Sequence, residues 1–496
     1  MADSVKTVVD TEKIRKAALS GIPLSITTYT LSHEMEMYIS DVLESFLKAI
    51  GHEHIKEYLA YCIQELAVNA KKANTKRVYF KEKNLDITNP NDYRLGMKSF
   101  KEDTLSDIIH YLKKQKEEGL YVKIVLQVVG ETITIEIRNN SEMVSDEYVR
   151  IHDKLARSKK ISVMGDSLSQ ILDDSEGAGL GLVIIMQMLR KIGLTEENYE
   201  VMVEDGETIT RLTIPFDTKT KEGIDELSDE VIKAVDDLPQ FPENIQELQR
   251  LLGDPEAKLS EVARRVSTDA ALTGDLLKLV NSAAFAMGKK CNNITEAVKL
   301  VGFKGLKDLL YSYGTQQILG TSTESQKKLW KHCYKTAFFA YNLAKNFGKN
   351  SNLLNDIYTC GILHDMGKII FAKTHKGVSE KITAFCKKRN VTPALMESLF
   401  AGNNHGEIGA RIAERWNFPD ILVWSIRYHH NPSIAPGAIR TLVSMVYIAD
   451  AMCNYIDGTI DYYQLDKGVL STCSIENEAT FIAILKQLDE SFNSSI

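Results

Sequence analysis

The chain has 496 residues, 44% of them apolar and 26% charged, with a formal net charge of −7. That length exceeds what one hydrophobic core organises, so two or three domains are expected. An acidic balance without a long basic run gives no reason to expect nucleic acid as a partner. The seven cysteines are scattered without CxxC spacing, which fits a reducing compartment better than a disulfide scaffold. The N-terminal stretch lacks the apolar core of a signal peptide, and no window reaches the ~18 apolar residues of a membrane span. A cytoplasmic protein with no membrane partner is the expectation.

Residues 1–49 read as an N-terminal helical extension. Residues 54–73 place Ile55, Leu59, Cys62, Ile63, Leu66 and Ala70 at helical spacing. Arg77 to Phe80 reads as a short strand. Residues 121–138 alternate Val122, Ile124, Leu126, Val128, then Ile133, Ile135, Ile137 across a Gly130-Glu131 turn, the pattern of a hairpin. A second hairpin over 199–216 turns at Asp205-Gly206. Between them an apolar helix, 180–192, opens from a glycine cluster. The pattern predicts an α/β sandwich, a mostly antiparallel sheet with helices on one face.

That cluster is Ser175-Glu-Gly177-Ala-Gly179-Leu-Gly181-Leu182. Alternate glycines let a backbone approach phosphates, and the helix behind them offers unpaired N–H groups. Glu65, Asn69 and Lys72 lie at i, i+4 and i+7, on one helical face. Together these segments, ELAVNAKKAN and GAGLGL, resemble the N box and second glycine box of the histidine-kinase-like ATPase family, over residues 50–216. The resemblance implies a Bergerat-type ATPase fold. Asn69 would chelate Mg through ATP phosphates, Glu65 would orient water or a hydroxyl as the catalytic carboxylate, and Lys72 would join the nucleotide-binding set. Gly177, Gly179 and Gly181 would cradle the phosphates. In the family an Asp-x-Gly-x-Gly box follows the central hairpin. Here Arg138-Asn139-Asn140-Ser141 stands there, so Asn139 takes the adenine-reading position without the charge of an aspartate. ATP hydrolysis and kinase activity are not expected. His33 lies too near Asn69 to serve a two-helix phosphoacceptor hairpin and reads as a surface histidine.

Residues 217–237 are polar and read as a linker ending in a helix, stopped by Leu238-Pro-Gln-Phe-Pro242. Beyond it strand signals almost vanish. Helices are expected over 243–253, 259–267, 270–281, 294–301, 303–317, 325–347, 353–372, 376–389, 393–400, 405–415, 419–429 and 438–454. The C-terminal half is therefore expected to be all-α, with 456–496 a helical tail.

Within it lies an ordered series: His332, His364-Asp365, His405, His429-His430 and Asp450. Imidazole with carboxylate suits a divalent metal, and Asp450 inside an apolar helix requires a cation. The series resembles the HD superfamily of metal-dependent phosphohydrolases. That resemblance implies His332, His364, Asp365 and Asp450 as ligands of iron, manganese or magnesium. His405, His429 and His430 would hold a second metal or line the substrate site, with Lys368 touching a phosphate as a catalytic residue. The stretches 260–285, 294–310, 405–420 and 426–432 resemble the HDOD (HD-related output) domain, over 238–455. That family is regarded as regulatory, so a nucleotide-binding-like module controlling an HDOD domain that docks signalling partners is the leading expectation. A metal-dependent phosphohydrolase or phosphodiesterase is the alternative. Asn431-Pro-Ser-Ile-Ala replaces the Gly-Tyr-Pro signature of cyclic-dinucleotide phosphodiesterases. A serine-kinase-like regulator acting through the first half alone is weakened by Asn139. A homodimer is left open.

Overall fold

The computed structural model describes residues 9–160, 180–217, 227–280, 291, 293–347, 353–389 and 391–494. The chain divides into two units, Met1–Asp225 and Glu226–Ile496.

In the first unit α1 (Thr11–Leu19) is capped by Asp10, whose carboxylate accepts from the Lys13 amide. It is followed by β1 (Leu24–Thr28) and α2 (His33–Ala49). The extension expected to be helical thus contributes a strand to the sheet. Next, α3 (Lys56–Glu82) runs straight through Arg77 to Phe80, so the strand expected there is a helix. Val78, Tyr79 and Phe80 are buried together with Tyr93 of α4 (Pro90–Ser106) and Tyr111 of α5 (Ile108–Glu117). With helices on several sides, three successive β-prone residues are all buried, and tertiary packing overrides propensity.

The two hairpins form as expected. β2 (Val122–Val129) pairs with β3 (Thr132–Asn139), and β4 (Tyr199–Glu204) with β5 (Glu207–Pro215). Between them lie α6 (Ser145–Lys160) and α7 (Leu180–Lys191). The Asp205-Gly206 turn has positive φ at both residues, 51° and 80°, the geometry that matches strand twist. The sheet order is β1-β2-β3-β5-β4, antiparallel throughout. Ile124 faces Ile137 and Leu126 faces Ile135 across the central pair, and α3 packs against β2 and β3. On the opposite face Glu136 pairs with Arg138 at 2.5 Å and Arg211 at 2.8 Å, and Arg138 reaches Glu207 at 3.1 Å. Alternation therefore yields one apolar and one charge-laced face.

Every described element of the second unit is helical. α8 (Asp229–Asp236), expected in the linker, packs on α15 (Gly367–Thr374) and α18 (His405–Arg415), burying Val231 and Val235. Then come α9 (Glu243–Gly253), α10 (Leu259–Ser267), α11 (Ala270–Val280) and α12 (Ile294–Leu319). α12 breaks at Gly302, φ 74° and ψ 170°, where the sequence divides one expected helix from the next. α13 (Glu324–Phe347) and α14 (Leu353–Leu363) follow. The single helix expected over 353–372 is instead α14 and α15, separated by a turn at residues 364–366. α16 (Val378–Arg389), α17 (Pro393–Ala401), α19 (Asp420–Tyr428) and α20 (Arg440–Ile456) complete the bundle. The expected tail holds α21 (Lys467–Ser471) and α22 (Glu478–Asn493), and Phe492 packs on Phe338 and Phe339 of α13. All seven cysteines are buried, and none is in a disulfide. Among the described residues, no helix is long and apolar enough to cross a membrane.

Candidate functional site

Close helix crossings assemble the second unit's polar core. A Cβ on Gly361 would lie 2.5 Å from the Ala337 Cα, so glycine lets α14 approach α13 and brings His364 to His332. A Cβ on Gly367 would lie 2.1 Å from the His405 carbonyl oxygen and 2.6 Å from the Gly409 nitrogen. That second crossing sets α18, with His405 as its first residue, against the His364–Asp365 turn.

The side chains expected to bind metal fall into two adjoining groups: His332, His364, Asp365 and Asp450, then His405, His429 and His430. In the first, His332 Nε2 lies 2.9 Å from Asp450 Oδ1 and 3.4 Å from Asp365 Oδ2. His364 Nε2 lies 3.4 Å from each of those oxygens. In the second, His405 Nε2 lies 2.8 Å from His430 Nε2 and 3.3 Å from His429 Nε2. Asp365 spans both groups, since its Oδ1 is 2.9 Å from His405 Nε2.

Backbone and carboxylate partners fix how the rings point. His364 Nδ1 donates to the Gly361 carbonyl at 2.7 Å, and His429 Nδ1 to the Ile426 carbonyl at 2.7 Å. A carbonyl only accepts, so both rings carry a proton on Nδ1 and aim Nε2 inward. His405 Nδ1 pairs with Glu397 Oε2 at 2.5 Å, and Asn454 Nδ2 donates to Asp450 Oδ1 at 2.8 Å. Glu397 is a functional candidate that the sequence reading missed. It is a lone carboxylate in an apolar helix, the same signal that marks Asp450.

The site is electrostatically suited to a cation. Burial opposes charge on Asp365, yet His364, Lys368 and His405 hold its carboxyl well below the usual range. Burial lowers His364, but Asp365 and Asp450 push it up to about 10. Burial, then His364 and His405, takes His429 down to about 3. His364 Nε2 is buried and makes no hydrogen bond. Metal bonds of about 2.1 Å place neighbouring ligand atoms roughly 3.0 Å apart at right angles and roughly 3.4 Å apart at tetrahedral angles. The donor separations and the orphaned nitrogen fit a divalent ion. Lys368 pairs with Asp365 Oδ2 at 2.6 Å, at the edge of the first group.

In the first unit, Glu65, Asn69 and Lys72 share α3, with Glu65 buried and the other two exposed. A Cβ on Gly181 would lie 2.0 Å from Glu65 Oε1, so the start of α7 packs directly on that carboxylate. Gly177 and Gly179 lie outside the described residues. Asn139 is buried, and its Nδ2 donates to Asn74 Oδ1 and to the Ser141 carbonyl, each at 3.3 Å. Lys154 of α6 also belongs to this neighbourhood, although the sequence alone did not flag it. Burial and then the Lys76, Arg150 and Lys72 charges hold it below the ordinary lysine range.

A helical bundle whose polar core is a histidine–aspartate cluster is the architecture expected of the HD-related class. Residues 238–432 match the model of the HDOD domain, and the chain is a multidomain protein carrying that domain. An uncharacterized protein of Treponema pallidum (strain Nichols) is 44% identical over 487 residues, covering 98% of this chain and 95% of the other. The chain belongs to one family with that protein. It is also similar to the crystal structure of an HDOD domain protein from Geobacter sulfurreducens. There the identity is 23% and the TM-score 0.43, over 53% of this chain and 93% of that one.

Proposed function

We propose that this is a cytoplasmic signal-transduction protein whose HDOD domain holds a divalent metal and docks a partner protein under control of a nucleotide-binding N-terminal module. The observation that carries the proposal is Asp365, whose Oδ2 lies beside His332 and His364 and whose Oδ1 lies beside His405, with Asp450 in the same group of potential ligands. These residues would hold iron, manganese or magnesium, with His429 and His430 completing a second position. Measuring the metal content of protein purified without chelator tests this directly. Wild type should carry at least one equivalent, and His364→Ala/Asp365→Ala should lose it; a metal-free wild type sinks the reading.

A Bergerat-type ATPase fold is the reading of the first unit that its antiparallel sheet and the Glu65–Gly181 contact support. Asn69 and Lys72 would meet Mg and phosphate there, and Lys154 would extend the cationic wall. Among the described residues Asn139 Oδ1 makes no hydrogen bond, and it is the atom that would accept from an adenine amine. Titration of the full chain with ATP and Mg should show binding that Asn69→Ala weakens about tenfold or more. Equal affinity in both proteins would remove the nucleotide from the account.

A second reading, a metal-dependent phosphohydrolase or phosphodiesterase, is favoured by Lys368, which places an ammonium beside Asp365. A metal in this cluster would supply the positive charge that polarises a phosphoryl group, and Lys368 would orient that group. Turnover of a generic phosphodiester by wild type, abolished by Asp365→Ala, would establish it.

A further inference from the structure

The second unit begins at Glu226, and α8 is its first helix. The HDOD domain starts only at residue 238, so α8 precedes that domain in the chain and yet packs into it. Val231 and Val235, at i and i+4, share one face of α8 and are wholly buried, with Leu227 and Leu238 buried at either end.

What α8 covers is the support of His405. It packs on both α15 and α18, the two helices whose crossing Gly367 permits beside His405 and Gly409. At its start the Ser228 amide donates to the Ala401 carbonyl at 2.8 Å. Ala401 is the last residue of α17, the helix whose Glu397 holds His405 Nδ1 at 2.5 Å. One short helix thus touches all three helices that set where His405 lies and which way its ring points.

The two ends of α8 are held unequally. At the C-terminal end Arg415 Nη2 donates to the Leu238 carbonyl at 2.9 Å, and Trp416 Nε1 to the Pro239 carbonyl at 3.1 Å. At the other end Ser228 occupies the N-cap without making a capping hydrogen bond, and its hydroxyl is enclosed with no partner. The helices beside it are capped, α17 by Thr392 and α18 by Asn404. An enclosed serine hydroxyl that fails to cap weakens its end of the helix. Eight residues are also too few to stay helical in water without tertiary contacts.

We propose that α8 is a strap that opens from Ser228 and, through α15, α17 and α18, sets how firmly His405 is held for its metal ion; this rests on the reading of the cluster as a metal centre. Docked, the strap is helical and clamps the Gly367 crossing to the end of the Glu397 helix. Released, it unfolds, both supports loosen together, and His405 loses its fixed direction.

Full-length protein is loaded with Mn, and release into EDTA is timed beside hydrogen exchange read by mass spectrometry. Val231→Ala/Val235→Ala thins the docked face and should raise exchange across α8 by about tenfold or more. Exchange in α15, α17 and α18 should rise with it, and Mn should leave about tenfold faster. α20 should stay as protected as in wild type, showing that the unit remains folded. Ser228→Ala removes the stranded hydroxyl, keeps the amide on Ala401, and should shift both readouts the other way. If the valine pair does not fold, Ser228→Ala decides, and no change in either readout overturns the strap. A folded valine pair whose α8 exchanges freely, while α15, α17, α18 and Mn release match wild type, overturns it as well. A wild type that takes up no Mn overturns the metal reading alone; exchange in the three helices that follows α8 still supports the strap, and exchange that ignores α8 overturns it.

Discussion

Glu397 and Asp450 present the same signal, a single carboxylate inside an apolar helix, and both prove to serve a histidine. Asp450 is legible in the sequence because it closes an ordered series with His332 and His364-Asp365. Glu397 has no such company in the chain, and its tie to His405 arises only when α17 meets α18. Outer partners of this kind set ring orientation, so Glu397→Gln should weaken metal binding at the His405 position by about 10–100-fold. Isothermal titration with Mn would detect that loss; unchanged affinity would reduce Glu397 to a packing residue. A second residue-scale prediction concerns Glu147 in the first unit. Burial opposes its charge, but Arg77 and Lys76 lower its carboxyl from 4.5 to about 2. The folded value lies below the unfolded one, so its stabilisation is complete above about pH 4.5 and is lost as pH falls toward 2. Glu147→Gln should lower stability near neutrality by about 3 kcal/mol, with the difference from wild type shrinking on acidification through that window. Urea unfolding of the first unit at pH 7 and pH 3 measures it, and a pH-independent difference would contradict it.

Elements were most legible where one period ran without competition. The hairpins around Gly130 and Asp205-Gly206 follow alternation and turn chemistry alone, and the break at Gly302 follows from one residue. Arg77 to Phe80 misled because consecutive β-prone side chains say nothing about the helices that enclose them. β1 is five residues long and its pattern too brief to stand out. The turn between α14 and α15 falls on His364-Asp365-Met366, a polar pair that closes one apolar helix while the apolar spacing carries on into the next. Two glycines set the crossings that matter most. Gly361→Ala places a methyl against the Ala337 backbone, and Gly367→Ala places one against His405 and Gly409. Because backbone cannot step aside as a side chain does, each should destabilise the second unit by about 1–3 kcal/mol or more. Gly367→Ala should also displace His405 and lower metal occupancy, whereas Glu142→Ala at the surface of the other unit should do neither. Thermal melts with parallel metal analysis separate these outcomes.

At the scale of the molecule, the multidomain plan was visible in the loss of strand signals beyond residue 217, and the helical half contains an HDOD domain. The expected linker helix, α8, is packed within that unit. It lies against α15 and α18. That packing lies close to the metal candidates, because α15 carries Lys368 and α18 begins at His405. The central claim is that His332, His364, Asp365 and Asp450 form a metal centre joined through Asp365 to the His405 group. Anomalous diffraction from crystals of the full chain grown with Mn tests it most directly. The account predicts an anomalous peak bounded by His364 Nε2 and the Asp365 and Asp450 carboxylates. Crystals with no peak there, and with the Lys368 ammonium alone on Asp365, would contradict it.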